Sequence, residues 1–169
     1  MRARRWSTTG AALAAALACN GGLQPTPICG TGFVGICGTI TFRGAVPDST
    51  AGVYVVAYTH FPQQPSDLLT FTPLIPQPLP LPGDSMTLYS VPLPNGRYEW
   101  VVAAWTKQGT FNPDGSNADS LFKEAGFYKD GADTTTHGSG IVIVNNAGTG
   151  PINIVVDFGK MHPISYYFP

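Results

Sequence analysis

Charge is scarce in this chain. Asp, Glu, Lys and Arg make up 11% of its 169 residues, against a usual level of roughly 25%. Long apolar runs are missing as well. The longest, Gly10 to Ala18, is mostly alanine and falls short of the roughly 20 residues that span a bilayer. No apolar periodicity of helical spacing persists over ten or more residues, which argues against an α-helical fold. No Gly-x-Ser-x-Gly run marks a nucleophile elbow. The three cysteines have no metal-site spacing. Glycine and proline are plentiful, with 20 and 16 residues. Little charge, many turn formers and many β-branched and aromatic residues point to an all-β extracytoplasmic protein.

The amino terminus supports that compartment. A basic start, Met1-Arg2-Ala3-Arg4-Arg5, precedes the short apolar stretch, which ends in Leu17-Ala18-Cys19. This has the form of a secretory signal. Leu17, Ala18 and Cys19 resemble the lipobox of bacterial lipoproteins, although Ala16 stands where that family usually has leucine. The resemblance implies lipidation of Cys19, which becomes the first residue of the mature chain. Asn20 is not the aspartate that holds many such proteins at the inner membrane, so the resemblance favours the outer membrane. The other reading is an ordinary cleaved signal. Arg4-Arg5-Trp6 carries only a fragment of a twin-arginine signal.

Removal of residues 1–18 takes three of the nine basic residues. Six then face ten acidic ones, a net charge near −4. That balance argues against nucleic acid as a partner. If Cys19 carries lipid, Cys29 and Cys37 remain as an even pair, and an exported compartment permits their disulfide. Two free thiols are the alternative.

Residues 19–35 are rich in Gly, Pro and Thr and read as a flexible tether, with a single domain over 36–169. Ile40 and Phe42 alternate with Thr39, Thr41 and Arg43, the pattern of a half-buried strand. Val53 to Tyr58 is apolar or aromatic throughout and suits a strand covered on both faces. Seven prolines between Phe61 and Pro82 exclude a central strand or helix there; the stretch is a rigid crossover or a Pro-rich ligand. Met86 to Val91 forms another strand. Arg97 to Lys107 reads as one long strand, with Tyr98, Trp100, Val102 and Ala104 on one face. Its other face turns from polar to apolar and needs a cover, expected from a long ordered loop over 108–140. Ile141 to Val144 and Ile152 to Phe158 complete a count of roughly seven antiparallel strands, a β-sandwich.

Tyr89 to Trp100, with Leu93-Pro94-Asn95-Gly96-Arg97-Tyr98 at its centre, resembles the strand–turn–strand element of carboxypeptidase regulatory-like domains, also called transthyretin-like or prealbumin-like. Gly38-Thr39-Ile40, Gly44 to Pro47 and Val53-Tyr54-Val55 are similar to that family's first two strands. The resemblance covers about residues 36–105. It implies a seven-stranded prealbumin-like or immunoglobulin-like sandwich, usually a non-catalytic accessory module, and it brings no catalytic residues.

Other candidate chemistry is sparse. Asn112, Asp114, Ser116 and Asp119 place oxygen ligands as a calcium loop does, but they lack its closing glutamate and equally suit a turn. His137-Gly138-Ser139 offers a weak hydrolase reading. Trp105, Phe127 and Tyr128 could form an exposed stacking platform for sugar rings, or could pack a loop onto the sheet. The aromatic tail Tyr166-Tyr167-Phe168 caps the sandwich or stands exposed. The expectation is therefore a lipid-anchored, non-catalytic envelope module that binds a glycan or protein partner, with no cofactor unless calcium. A structural subunit of a surface assembly and a small hydrolase are the alternatives. An exposed strand edge would favour the assembly.

Overall fold

The computed structural model describes residues 29–81, 86–110, 116–129 and 138–168. The leader, Cys19, Asn112, Asp114 and His137 lie outside the described residues. The chain is an all-β sandwich. Ten strands occur among the described residues: β1 (Gly35–Arg43), β2 (Thr50–Tyr58), β3 (Met86–Pro92), β4 (Gly96–Tyr98), β5 (Trp100–Lys107), β6 (Phe122–Phe127), β7 (Val142–Val144), β8 (Gly148–Thr149), β9 (Ile154–Asp157) and β10 (His162–Pro163).

One sheet is built on β1. It carries β3 antiparallel on one side, with β8 and then β9 parallel on the other. The pairing with β8 and β9 departs from a purely antiparallel sandwich. The second sheet runs β10-β6-β5-β2, all antiparallel, and β4 pairs with β7 as a small third sheet. Among the described residues, no helix is long and apolar enough to cross a membrane.

The inner faces alternate as a half-buried strand should. Ile36, Ile40 and Phe42 of β1 meet Val53, Val55 and Ala57 of β2, Val101, Ala103 and Trp105 of β5, and Ile154 and Val156 of β9. The Phe42 and Phe158 rings stack at 6.0 Å. The Tyr98 hydroxyl donates to the Pro94 carbonyl at 2.9 Å, which ties the 93–96 turn to the core. β6 and β9 approach so closely at Gly126 that a Cβ there would strike the Val155 carbonyl. That contact brings the two sheets together along one side.

Two expectations change. Residues 108–140 are not one loop, because they contain the short helix α1 (Ala118–Leu121) and strand β6. A register shift between Ala103 and Ala104 opposes Gly126 and Glu124, leaving Ala125 as an extra residue. Such a bulge breaks the two-residue period that would betray the strand. Residues 29–35 also depart from the tether expected over 19–35. Val34 packs on the core, Phe33 donates its N–H to Gly30, and Cys29 is disulfide-bonded to Cys37 with Cα atoms 5.6 Å apart. Residues 29–35 therefore belong to the domain.

The proline-rich segment is a rigid edge cover. Thr72 exchanges both backbone hydrogen bonds with Ala57, and the Leu79 N–H donates to the Val53 carbonyl. Between these two anchors the chain arches along the free edge of β2.

Candidate functional site

Two groups of interacting titratable side chains stand out among the described residues, both on the β10-β6-β5-β2 sheet or its margin. The first is at the end where β2 finishes and β5 begins. Glu99 sits between β4 and β5, and its backbone N–H donates to the Tyr58 carbonyl at 2.9 Å. Its carboxylate accepts from the Arg97 guanidinium and from the Phe61 N–H at 3.2 Å. His60 Nδ1 stands 3.9 Å away on an 86% exposed side chain. The Arg97 hydrogen bond first, then the Phe61 N–H, hold the Glu99 carboxyl below its ordinary range. The Ser139 hydroxyl donates to the Glu99 carbonyl at 2.5 Å. Phe61, Arg97, Glu99, Gly138, Ser139 and Ile141 line a shallow depression of about 490 Å³.

The second place fastens the carboxy-terminal tail. Glu124 of β6 has a nearly buried side chain. It accepts from the Tyr167 hydroxyl at 3.0 Å and meets His162 Nδ1 at 2.7 Å. Asp119 accepts the Ser165 N–H at 2.8 Å. Burial, then the Glu124 carboxylate, push the Tyr167 phenol above its ordinary value.

The tail therefore caps the sheet. Tyr167 lies 5.5 Å from the Trp100 ring and beside Phe61, and Phe127 meets Trp100 edge-on. With Tyr58, Val56, Val102, Leu68 and Phe71 these rings form an apolar cluster on the outer face. The β5 face expected to need a cover, Val101, Ala103 and Trp105, is the inner-core face, and it is the opposite face, Trp100 and Val102, that residues 61–71 and the tail cover. Trp100 Nε1 is the one buried side-chain polar atom without a partner among the described residues.

The three candidate stacking rings do not share a surface. Trp105 is buried in the inner core and donates Nε1–H to the Thr50 hydroxyl at 2.8 Å. Its large ring fills the sandwich, so it presents no open face to a sugar. Tyr128 packs against that same core, whereas Phe127 lies in the outer cluster with the Lys129 ammonium 4.8 Å over its ring. Of the candidate calcium ligands, Ser116 is exposed and Asp119 is engaged by the tail. No group of three His, Cys, Asp or Glu converges among the described residues.

Sequence reading missed Glu99 and Glu124. Each is a lone carboxylate in an apolar stretch, and that was the available signal: a charge inside a strand needs a partner. The partners, Arg97 and Phe61 for one, His162 and Tyr167 for the other, come together only in the fold. No protein-family model, curated protein or solved structure matches this chain.

Proposed function

We propose that this chain is a lipid-anchored, non-catalytic module of a bacterial envelope that binds a glycan or protein partner at the depression around Arg97 and Glu99. The observation that carries the reading is the juxtaposition there of a guanidinium, a carboxylate and the Phe61 ring in a shallow, open site. A guanidinium and a carboxylate offer directed donors and acceptors to hydroxyls or amides, and an aromatic ring offers an apolar face. Ser139, at the end of the 108–140 stretch, lines the same depression, so that stretch borders the contact surface.

The surrounding polar groups favour binding over catalysis. The Ser139 hydroxyl proton is directed at a backbone carbonyl, and Glu99 already accepts two hydrogen bonds. Neither is poised as a nucleophile or base.

A glycan array and a pull-down with the Cys19→Ser chain test the reading. A ligand recovered by the wild-type surface should bind Arg97→Ala at least about tenfold more weakly, a loss of about 1.4 kcal/mol. Equal binding by both proteins would remove the depression from the proposal. The anchor has its own test: Cys19→Ser should move the protein from the membrane to the soluble fraction, and unchanged fractionation rejects lipidation.

A further inference from the structure

One long strand edge is left open among the described residues, and it belongs to β3. The edges of β2, β9 and β10 are managed. The proline arch covers β2 and is anchored at Thr72 and Leu79. β9 lies against β6 at Gly126. β10 is two residues long and ends in Pro163. Apart from Pro92 at its last position, β3 has none of the devices that discourage strand addition. Its seven residues, Met86 to Pro92, carry no charge, and β1 is its ladder partner.

The register identifies which backbone groups face outward. The Cys37 carbonyl accepts the Ile152 N–H on the far side of β1. Cys37 and its β3 partner Ser90 are therefore a non-hydrogen-bonded pair. The two kinds of pair alternate along an antiparallel ladder. Met86, Leu88 and Ser90 thus aim their N–H and C=O groups away from β1. Their side chains share the exposed face, where Met86 is 59% and Leu88 74% accessible.

We propose that β3 pairs with β3 of a second copy of this chain, antiparallel about a two-fold axis at Leu88. Met86 and Ser90 are equidistant from Leu88, so each faces the other residue of the copy while Leu88 faces itself. Every outward backbone group then finds a donor or acceptor. Self-pairing sets each charge on a strand opposite its own kind or a neighbour's, which is destabilising for like charges; an uncharged strand escapes this. The two Leu88 side chains cover one another, and each Met86 lies beside Ser90 of the copy. The product is one continuous sheet across two protomers. This inference is independent of the ligand site.

Sedimentation velocity over a concentration series of the Cys19→Ser chain should show reversible monomer–dimer exchange. Ser90→Pro removes an N–H that β1 does not use, and Leu88→Lys places like charges opposite each other. Each should raise the dimer dissociation constant at least about tenfold while the β-sheet circular dichroism is kept. Paired Cα atoms at Leu88 would stand about 5.5 Å apart, within disulfide reach. Leu88→Cys should therefore cross-link to a dimer under mild oxidation, and Met86→Cys should not. A monomer at every concentration, or a dimer that both edge substitutions leave intact, or equal cross-linking of the two cysteine variants, overturns the proposal.

Discussion

Tyr98 and Trp100 stand two residues apart and face opposite sides of the domain. Tyr98 enters the inner core, and Trp100 enters the outer aromatic cluster. Unbroken alternation would put both on one face. Glu99 breaks it by bonding sideways, to Tyr58 through its N–H and to Ser139 through its carbonyl. The chain thereby leaves the β4–β7 pair and joins β2, and the same kink holds the Glu99 carboxylate at the rim of the depression.

Glu99 should make stability depend on acid pH. Its carboxyl is held below the ordinary value of 4.5. A depressed folded value stabilises above the unfolded value and loses that contribution as the pH falls through the folded one. Glu99→Gln should therefore melt below wild type at neutral pH, and the gap should close below about pH 4. Thermal melts of both proteins across that range measure it. A gap that stays constant to low pH would show that charge at Glu99 is irrelevant.

Glu124→Ala should loosen the tail. It removes the acceptor of Tyr167 and the partner of His162. Hydrogen bonds to a charged group contribute about 1.5–3 kcal/mol each, shared here with solvent on the His162 side, so a total loss of about 2–3 kcal/mol is expected. Urea unfolding gives the magnitude. Limited proteolysis should cut the variant first in the 159–168 region, and an unchanged cleavage pattern would mean that the Tyr167 ring packing alone holds the tail.

Gly126→Ala should be among the most damaging single changes. Its methyl group would strike the Val155 backbone carbonyl, which cannot rotate aside as a flexible side chain would. Overpacking of this kind costs about 1–3 kcal/mol and more where backbone must shift. Ala125→Gly is the comparison, since it tests backbone flexibility at the adjacent bulge without adding an atom. Denaturant midpoints that rank the two the other way round would contradict the close approach of β6 and β9.

High pH should unfold the domain by way of its tyrosines. Burial holds Tyr58, Tyr89, Tyr98 and Tyr167 above the ordinary phenol value of 10.0. A raised folded value stabilises fully below the unfolded value, and that contribution is lost as the pH rises through the folded one. Melting temperature should fall above about pH 10, more steeply in wild type than in Tyr58→Phe. Tyrosinate absorbance should appear later in the folded protein than in denaturant. Coincident titrations would contradict the burial of these hydroxyls.

The legible parts of the fold were those where burial follows strict alternation. Ile40 and Phe42, and the series Ile152, Ile154, Val156 and Phe158, each follow a two-residue period in the sequence, and all lie in the inner core. The unreadable parts were those where alternation is interrupted. At Ala125 a bulge hides β6, and at Glu99 a change of sheet reverses the faces of the strand that follows. The depression was unreadable for another reason. Phe61, Arg97 and Ser139 are far apart in the chain, and nothing local to any of them records the others.

The sequence by itself determined the class of this protein. Sparse charge, frequent Gly and Pro and short alternating runs leave a β-sandwich as the economical way to bury its apolar residues. The signal-like start and Cys19 set the expectation of an anchored, exported chain. Tertiary structure alone decided which residues meet. It laid the proline arch along β2, left the outer edge of β3 bare among the described residues, folded Tyr167 over Trp100, and closed Glu124 on His162. The physical reason is that periodicity is a property of neighbours along the chain, whereas strand order and edge protection depend on long-range pairing, which short-range pattern does not encode.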